Sequence, residues 1–196
     1  MRILAISDVT AKYYFDCYTP GKLDGFDLIL ACGDLHREYL EFLVTMSNKP
    51  VLYVHGNHDE SYDQAPPGGC TCIDDMIYVY QGVRILGLGG SYRYRDGKYM
   101  YTEAQMRCRI QRLWFQLHKY GGFDILVTHA PARHINDFDN LSHRGFDCFV
   151  DLLEKYKPKY FLHGHIHQTY GVHIPQKTIR GDTTIINSYD HYEFVF

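Results

Sequence analysis

Apolar runs rich in Val, Ile, Leu, Phe and Tyr recur through this chain at 2–7, 26–32, 50–55, 76–80, 83–88, 123–128 and 159–163, each followed by a polar residue or glycine. Short apolar runs bounded by turn formers suit strands better than helices. Between several of them the apolar residues fall at helical spacing instead: Tyr39, Leu40, Phe42, Leu43 and Met46; Met106, Ile110, Leu113, Trp114 and Leu117; Phe149, Leu152, Leu153 and Tyr156. Thr102 is placed as an N-cap with Glu103 in the first turn, and Pro50, Gly121-Gly122 and Pro158 close the helices. Strand, helix and strand in alternation require parallel crossovers, hence an α/β domain with helices covering its sheets. Beyond residue 169 the pieces "GVHI", "TTIIN" and "EFVF" read as short hairpin strands.

A chain of 196 residues fits one domain, expected to span 1–196, and no internal repeat or linker divides it. The formal charge of −3 gives no general attraction to polyanions, which disfavours long nucleic acid. No stretch approaches the ~20 apolar residues of a membrane span, and the N-terminal run is too short for a signal peptide, so a soluble, cytoplasmic protein without membrane contact is expected. Cys70 and Cys72 are the one close cysteine pair; as neighbours one apart in a strand they point to opposite faces and are expected to be unpaired thiols.

The residues just past each strand carry the chemistry. Asp8 follows "ILAIS", Asp34 follows "LILACG", Asn57-His58-Asp59 follow "VLYVHG", His129 follows "ILVT", and His165 and His167 follow "YFLHG". In open α/β sheets the carboxyl ends of strands line the ligand crevice, so residues scattered in sequence can meet there. Singly, each has an ordinary explanation: a turn or N-cap aspartate, a turn asparagine, a strand-end histidine satisfied by backbone. Together they form an oxygen and nitrogen set that would cluster charge and polarity without purpose unless a cation sat among them. The set exceeds what one ion needs and lacks thiolates, which suggests two divalent ions sharing a carboxylate, an arrangement suited to in-line displacement at phosphorus.

The blocks "GDL" (33–35), "GNHD" (56–59), "THAP" (128–131) and "HGHIH" (163–167), in that order and after strands, resemble the signatures of the calcineurin-like metallophosphoesterase superfamily. "RILGLGGSYRY" with "YTEAQM" and "HRGF" is similar to small bacterial members, and "HGHIHQTYG" to their phosphodiesterase-like branch. The resemblance implies a four-layer α/β/β/α sandwich with two mixed sheets, and two divalent transition metal ions (Mn, Fe, Zn, Ni or Co). It implies that Asp34 bridges the ions, that Asn57, His129 and His165 complete one site, and that Asp8 and His167 belong to the other. His58 would be the general acid, oriented by Asp59. The implied reaction is hydrolysis of a small phosphodiester or phosphomonoester. His163 and His55 are expected behind the ligands, His36, His134, His143, His173 and His191 off the site, although His143 in "SHRGF" could approach phosphate. Arg93, Arg95, Lys98, Arg107, Arg109 and Arg112 are expected on a loop and a solvated helix face.

The sequence departs from the pattern at Thr10. The first block usually reads Asp, any residue, His, and here it is Asp8-Val9-Thr10. A threonine hydroxyl is a poorer ligand than an imidazole, so the site of Asp8 and His167 should hold its ion more weakly. Three outcomes are open: an active enzyme with an altered site, a one-metal enzyme of low activity, or a binding scaffold on the same fold.

Overall fold

The computed structural model describes residues 1–168 and 175–196, so "GVHI" and His173 lie outside the described residues. In chain order the first half comprises β1 (Arg2–Ser7), β2 (Leu28–Ala31), α1 (Arg37–Ser47), β3 (Val51–Tyr53), β4 (Thr71–Cys72), β5 (Met76–Tyr80), β6 (Val83–Leu88), β7 (Ser91–Tyr92) and β8 (Met100–Tyr101). The second half comprises α2 (Glu103–Arg112), α3 (Trp114–Tyr120), β9 (Ile125–Thr128), α4 (Asp147–Tyr156), β10 (Tyr160–His163), β11 (Lys177–Arg180), β12 (Thr183–Asn187) and β13 (Asp190–Val195).

Two mixed sheets result. One has the order β13-β1-β2-β3-β4 and the other β11-β12-β10-β9-β6-β5, while β7 and β8 pair separately. Within the first sheet only β13 runs antiparallel to its neighbour; in the second, the outer pairs β11/β12 and β5/β6 are antiparallel around a parallel centre. The side-chain alternation of β1 shows why four layers form. Ile3 and Ala5 join Leu28, Leu30, Ile85, Ile125, Val127 and Leu162 between the sheets. Leu4 and Ile6 point the other way, onto Tyr39, Leu40 and Leu43 of α1. On the far side of the second sheet, Leu86 and Leu126 pack under Met106, Leu117, Phe149 and Leu153 of α2, α3 and α4. A strand buried on both faces reads as a continuous apolar run, and each fully buried Leu or Ile contributes roughly 1.5–3 kcal/mol. This is the expected α/β/β/α sandwich.

The expected N-cap is present: Thr102 accepts from the Gln105 amide and Gln105 reaches back, a complete capping box. The single helical pattern from 103 to 117 is instead two helices that meet at Leu113, whose buried side chain anchors the break. Arg109 also differs from expectation. It is buried, bonds to Asp75 (2.9 Å) and the Gly89 carbonyl (2.7 Å), and lies over the Tyr101 ring, so it clamps α2 to the loops after β4 and β6 rather than meeting solvent. All six cysteines are free.

Candidate metal centre

The parallel strands β1, β2, β3, β9 and β10 deliver every candidate residue just past their carboxyl ends, at one end of the sandwich. Three of those residues hold uncommon backbone: Asp8, Asp34 and His165 have φ of 67°, 55° and 67°. Left-handed backbone at non-glycine residues costs energy and persists where the surrounding structure imposes it, commonly at functional sites. Here it turns each chain sharply off its strand. Gly33 and Gly56 make the turns fit, because a Cβ at Gly56 would lie 2.0 Å from Asp34 Oδ1 and one at Gly33 only 2.4 Å from the Gly56 amide.

The innermost group is Asp34, His129 and His165, whose ligand atoms all lie within 4.8 Å of one another. Backbone carbonyls decide which nitrogens face inward. His129 Nδ1 donates to the Cys32 carbonyl (2.8 Å) and His165 Nε2 donates to the Ser142 carbonyl (2.6 Å). Outer partners of this kind fix ring orientation in metal sites. His129 Nε2 then lies 3.0 Å from Asn57 Oδ1, 3.1 Å from His165 Nδ1 and 3.3 Å from Asp34 Oδ2.

One proton on His129 Nε2 thus faces three acceptors, more than one N–H can serve. A cation at their centre would be met by lone pairs from all four groups, so the residues fit a divalent ion with mixed N and O ligands. Without an ion, the proton is held tightly. Burial pulls the His129 pKa down, but the carboxylates of Asp34 and Asp8 outweigh it and raise it to about 9. His165 is driven the opposite way, to about 3, by burial and the charge of His129. Asp34 is opposed by burial but brought to about 2 by the charge and hydrogen bond of His129 and the amide of His58.

Asp8 and His167 form the outer pair, with His167 Nε2 3.4 Å from Asp8 Oδ1. The Asp8 carboxylate also accepts from the His165 amide (2.9 Å). Burial works against its charge, yet His167 and His129 hold its pKa below the ordinary carboxylate value.

His58 is exposed, and its amide donates to Asp34 Oδ1 (2.7 Å), which ties the imidazole-bearing loop to the central carboxylate. Asp59 does not orient the His58 ring in the way the resemblance implies. Its Oδ2 instead accepts from the amides of Asp34 (2.8 Å) and Gly56 (2.7 Å), so it fixes the loop's backbone and places His58 through the chain. Burial and the charge of Asp34 raise the Asp59 pKa to about 6.

The cavity over these groups holds about 330 Å³ and is lined by Asp8, Asp34, Asn57, His58, His165 and His167 together with Tyr94, Ser142 and His143. Sequence reasoning missed Tyr94, one tyrosine among several in a polar loop. His143, read as able to approach phosphate, does line the cavity. His163 stands behind it as expected: fully buried, bonded to the Gly164 carbonyl and Asn136, its pKa lowered to about 4 by burial. His55 pairs with Asp74 (2.7 Å) beside Cys72 and stacks on Tyr99, outside the cavity.

The fold agrees with the similarities found. A model of the calcineurin-like phosphoesterase family matches residues 1–169, and the chain belongs to that family. Two relatives from Caenorhabditis elegans are the UPF0046 protein C25E10.12, 26% identical over 96% of this chain and 74% of its own length, and the UPF0046 protein K07C11.7, 24% identical over 96% and 69%. Among solved structures, TT1561 of Thermus thermophilus shares the fold with a TM-score of 0.61 at 16% identity, covering 96% of this chain and 89% of that one. A 5′-nucleotidase from Candida albicans does so with a TM-score of 0.53 at 15% identity, covering 95% of this chain and 45% of that one.

Proposed function

We propose that this chain is a metal-dependent phosphoesterase that hydrolyses a small phosphodiester or phosphomonoester, with His58 as the general acid. The observation that carries the reading is the convergence of Asp34, Asn57, His129 and His165 on one point, with an exposed imidazole tethered to Asp34 at its edge. Bound divalent ions would polarise phosphoryl oxygens and lower the pKa of water. The chain's own residues do the rest. Asp34, Asp8 and the inner imidazoles would hold the ions through carboxylate oxygens and ring nitrogens, and the loop fixed by Asp59 presents His58 toward the leaving oxygen. A leaving group has room there: a second cavity of about 400 Å³, lined by His36, Arg37, Glu38 and Ser61, shares Asp34 and His58 with the first.

The outer pair of Asp8 and His167 supports a weaker second ion site, since the three-ligand group here comprises only Asp34, His129 and His165. The experiment is metal analysis of the purified protein together with hydrolysis of a generic diester and monoester across added Mn, Ni, Co, Zn and Fe. His58→Ala is expected to lower turnover by roughly two orders of magnitude or more while bound metal stays nearly constant. Full turnover in that variant would remove His58 from the chemistry. No turnover under any ion in the parent would favour a binding scaffold.

A further inference from the structure

Just past the ends of β3 and β4 lies a second cluster of ligand-type groups, His55, Cys72 and Asp74, with one atom of each within 4.8 Å of the others. It shares no residue with the metal centre or its cavity. Asp74 Oδ2 is 2.7 Å from His55 Nδ1, and Cys72 Sγ is 3.8 Å from the same nitrogen. One ring nitrogen therefore faces a carboxylate and a thiol together. If it carries a proton for the carboxylate, the thiol hydrogen points at an N–H; if it turns a lone pair to the thiol, that lone pair meets the carboxylate. A cation among the three removes the conflict, because each group offers it a lone pair.

The fold holds these groups where they are. β3 and β4 run parallel with Tyr53 opposite Cys72. Asp74 Oδ1 accepts from the Gly89 amide (2.6 Å) and Oδ2 from the His55 amide (3.2 Å). The His55 ring stacks on Tyr99, with 4.3 Å between centroids, and meets Tyr53 edge-on at 5.5 Å. Contacts of this kind hold metal ligands in position. The side chains of His55 and Asp74 are 12% and 16% exposed, so an ion there is reached from water yet lies largely out of it. One thiolate and one carboxylate neutralise a divalent ion, and a set of thiolate, imidazole and carboxylate suits zinc rather than magnesium or calcium. In a tetrahedral zinc shell neighbouring ligand atoms lie roughly 3.3–3.8 Å apart, so ring and carboxylate need part by only about half an ångström and the sulfur scarcely moves.

We propose that His55, Cys72 and Asp74 form a zinc site separate from the phosphoesterase centre, with water in the fourth position. Binding displaces to solvent the proton between His55 and Asp74 and that of the Cys72 thiol. The ion joins the ends of β3 and β4 and, through the Gly89 amide, the end of β6. It thereby fixes the backbone two residues before Asn57.

Cobalt(II) is the probe, because a cysteine sulfur bound to it gives a near-ultraviolet charge-transfer band that nitrogen and oxygen ligands do not, and the phosphoesterase centre contains no cysteine. Titration of the full chain under reducing conditions is expected to saturate that band at about one thiolate-bound cobalt per chain, and added zinc should bleach it. Cys72→Ser should abolish the band, His55→Gln should weaken the affinity behind it at least about tenfold, and Cys70→Ser should leave it unchanged. In the parent protein, which needs no variant to fold, zinc should slow alkylation of Cys72 at least about tenfold while the exposed Cys17 and Cys108 react as before. A missing band, or a Cys72 that zinc does not protect, would overturn the proposal and leave His55 and Asp74 a plain ion pair. So would a band that survives Cys72→Ser, is indifferent to His55→Gln, or vanishes in Cys70→Ser.

Discussion

Gly164 lies between two histidines at the end of β10, where its amide donates to the His129 carbonyl (2.9 Å) and its α-carbon presses on β1. A Cβ there would stand 1.9 Å from Ser7 Oγ, 2.7 Å from Ser7 Cβ and 2.7 Å from Asp8 Oδ2. Ser7 is fully buried and its hydroxyl is held by the carbonyls of Cys32 (3.2 Å) and Gly33 (3.1 Å), so it cannot swing aside without giving up those bonds. Gly164→Ala should therefore cost about 1–3 kcal/mol of overpacking and about 1 kcal/mol more for a disrupted hydrogen bond. For a chain of this size that corresponds to a fall in Tm of roughly 4–16 °C, read by circular dichroism. Ser7→Gly removes both Ser7 contacts. In the double variant the cost should be less than the sum of the two singles by about 1 kcal/mol or more. Because Asp8 is pushed as well, any ion held at the proposed position of Asp8 and His167 should bind more weakly in the single variant. A Gly164→Ala protein within about 0.5 kcal/mol of the parent, or strict additivity with Ser7→Gly, would show that β1 and β10 do not meet as described.

If an ion binds at the proposed outer position of Asp8 and His167, Thr10→His should tighten it, and calorimetric titration giving the same affinities as the parent would count against that assignment. Arg109→Ala should cost about 2–3 kcal/mol, because it leaves the buried Gly89 carbonyl without its donor and removes the buried guanidinium packed on Tyr101, whereas exposed Arg107→Ala should cost under about 1 kcal/mol; equal urea midpoints would deny the clamp. Arg84 grips Asp124 through two nitrogens (2.9 and 2.6 Å) and holds its pKa below the ordinary value. A lowered folded-state pKa means stabilisation that is fully present above about pH 4, the unfolded value, and is lost as pH falls through the folded one. Asp124→Asn should flatten the acid limb of a urea-midpoint profile below about pH 4, and parallel profiles would refute the pairing.

Much of the site is legible in the sequence because two local regularities carry it. The apolar run of β1 is buried on both faces, so its strand identity shows in composition alone, and Asp8 is simply what comes next. The same holds for Asp34, His129 and His165 after β2, β9 and β10. Parallel strands that share a sheet must end on one side, which is why strand-end residues far apart in sequence can be grouped.

Other features depend on distances between elements. That Asp59 binds the amides of Asp34 and Gly56 and leaves the His58 ring alone is a consequence of how two turns abut. Which nitrogen of His129 and His165 faces inward is set by carbonyls at Cys32 and Ser142, 97 and 23 residues away. Arg109 reads as one more cation on a polar helix until Asp75 and Gly89 close over it. Tyr94 lines the cavity beside residues more than twenty positions away along the chain. The sequence by itself determined the long strands, the helical segments and the residues that come after each of those strands, since periodicity and turn chemistry are properties of neighbours in the chain. Only the tertiary structure decided which lone pairs converge, which charges are buried and which aromatic side chains remain exposed, because those depend on packing between segments that no local pattern encodes.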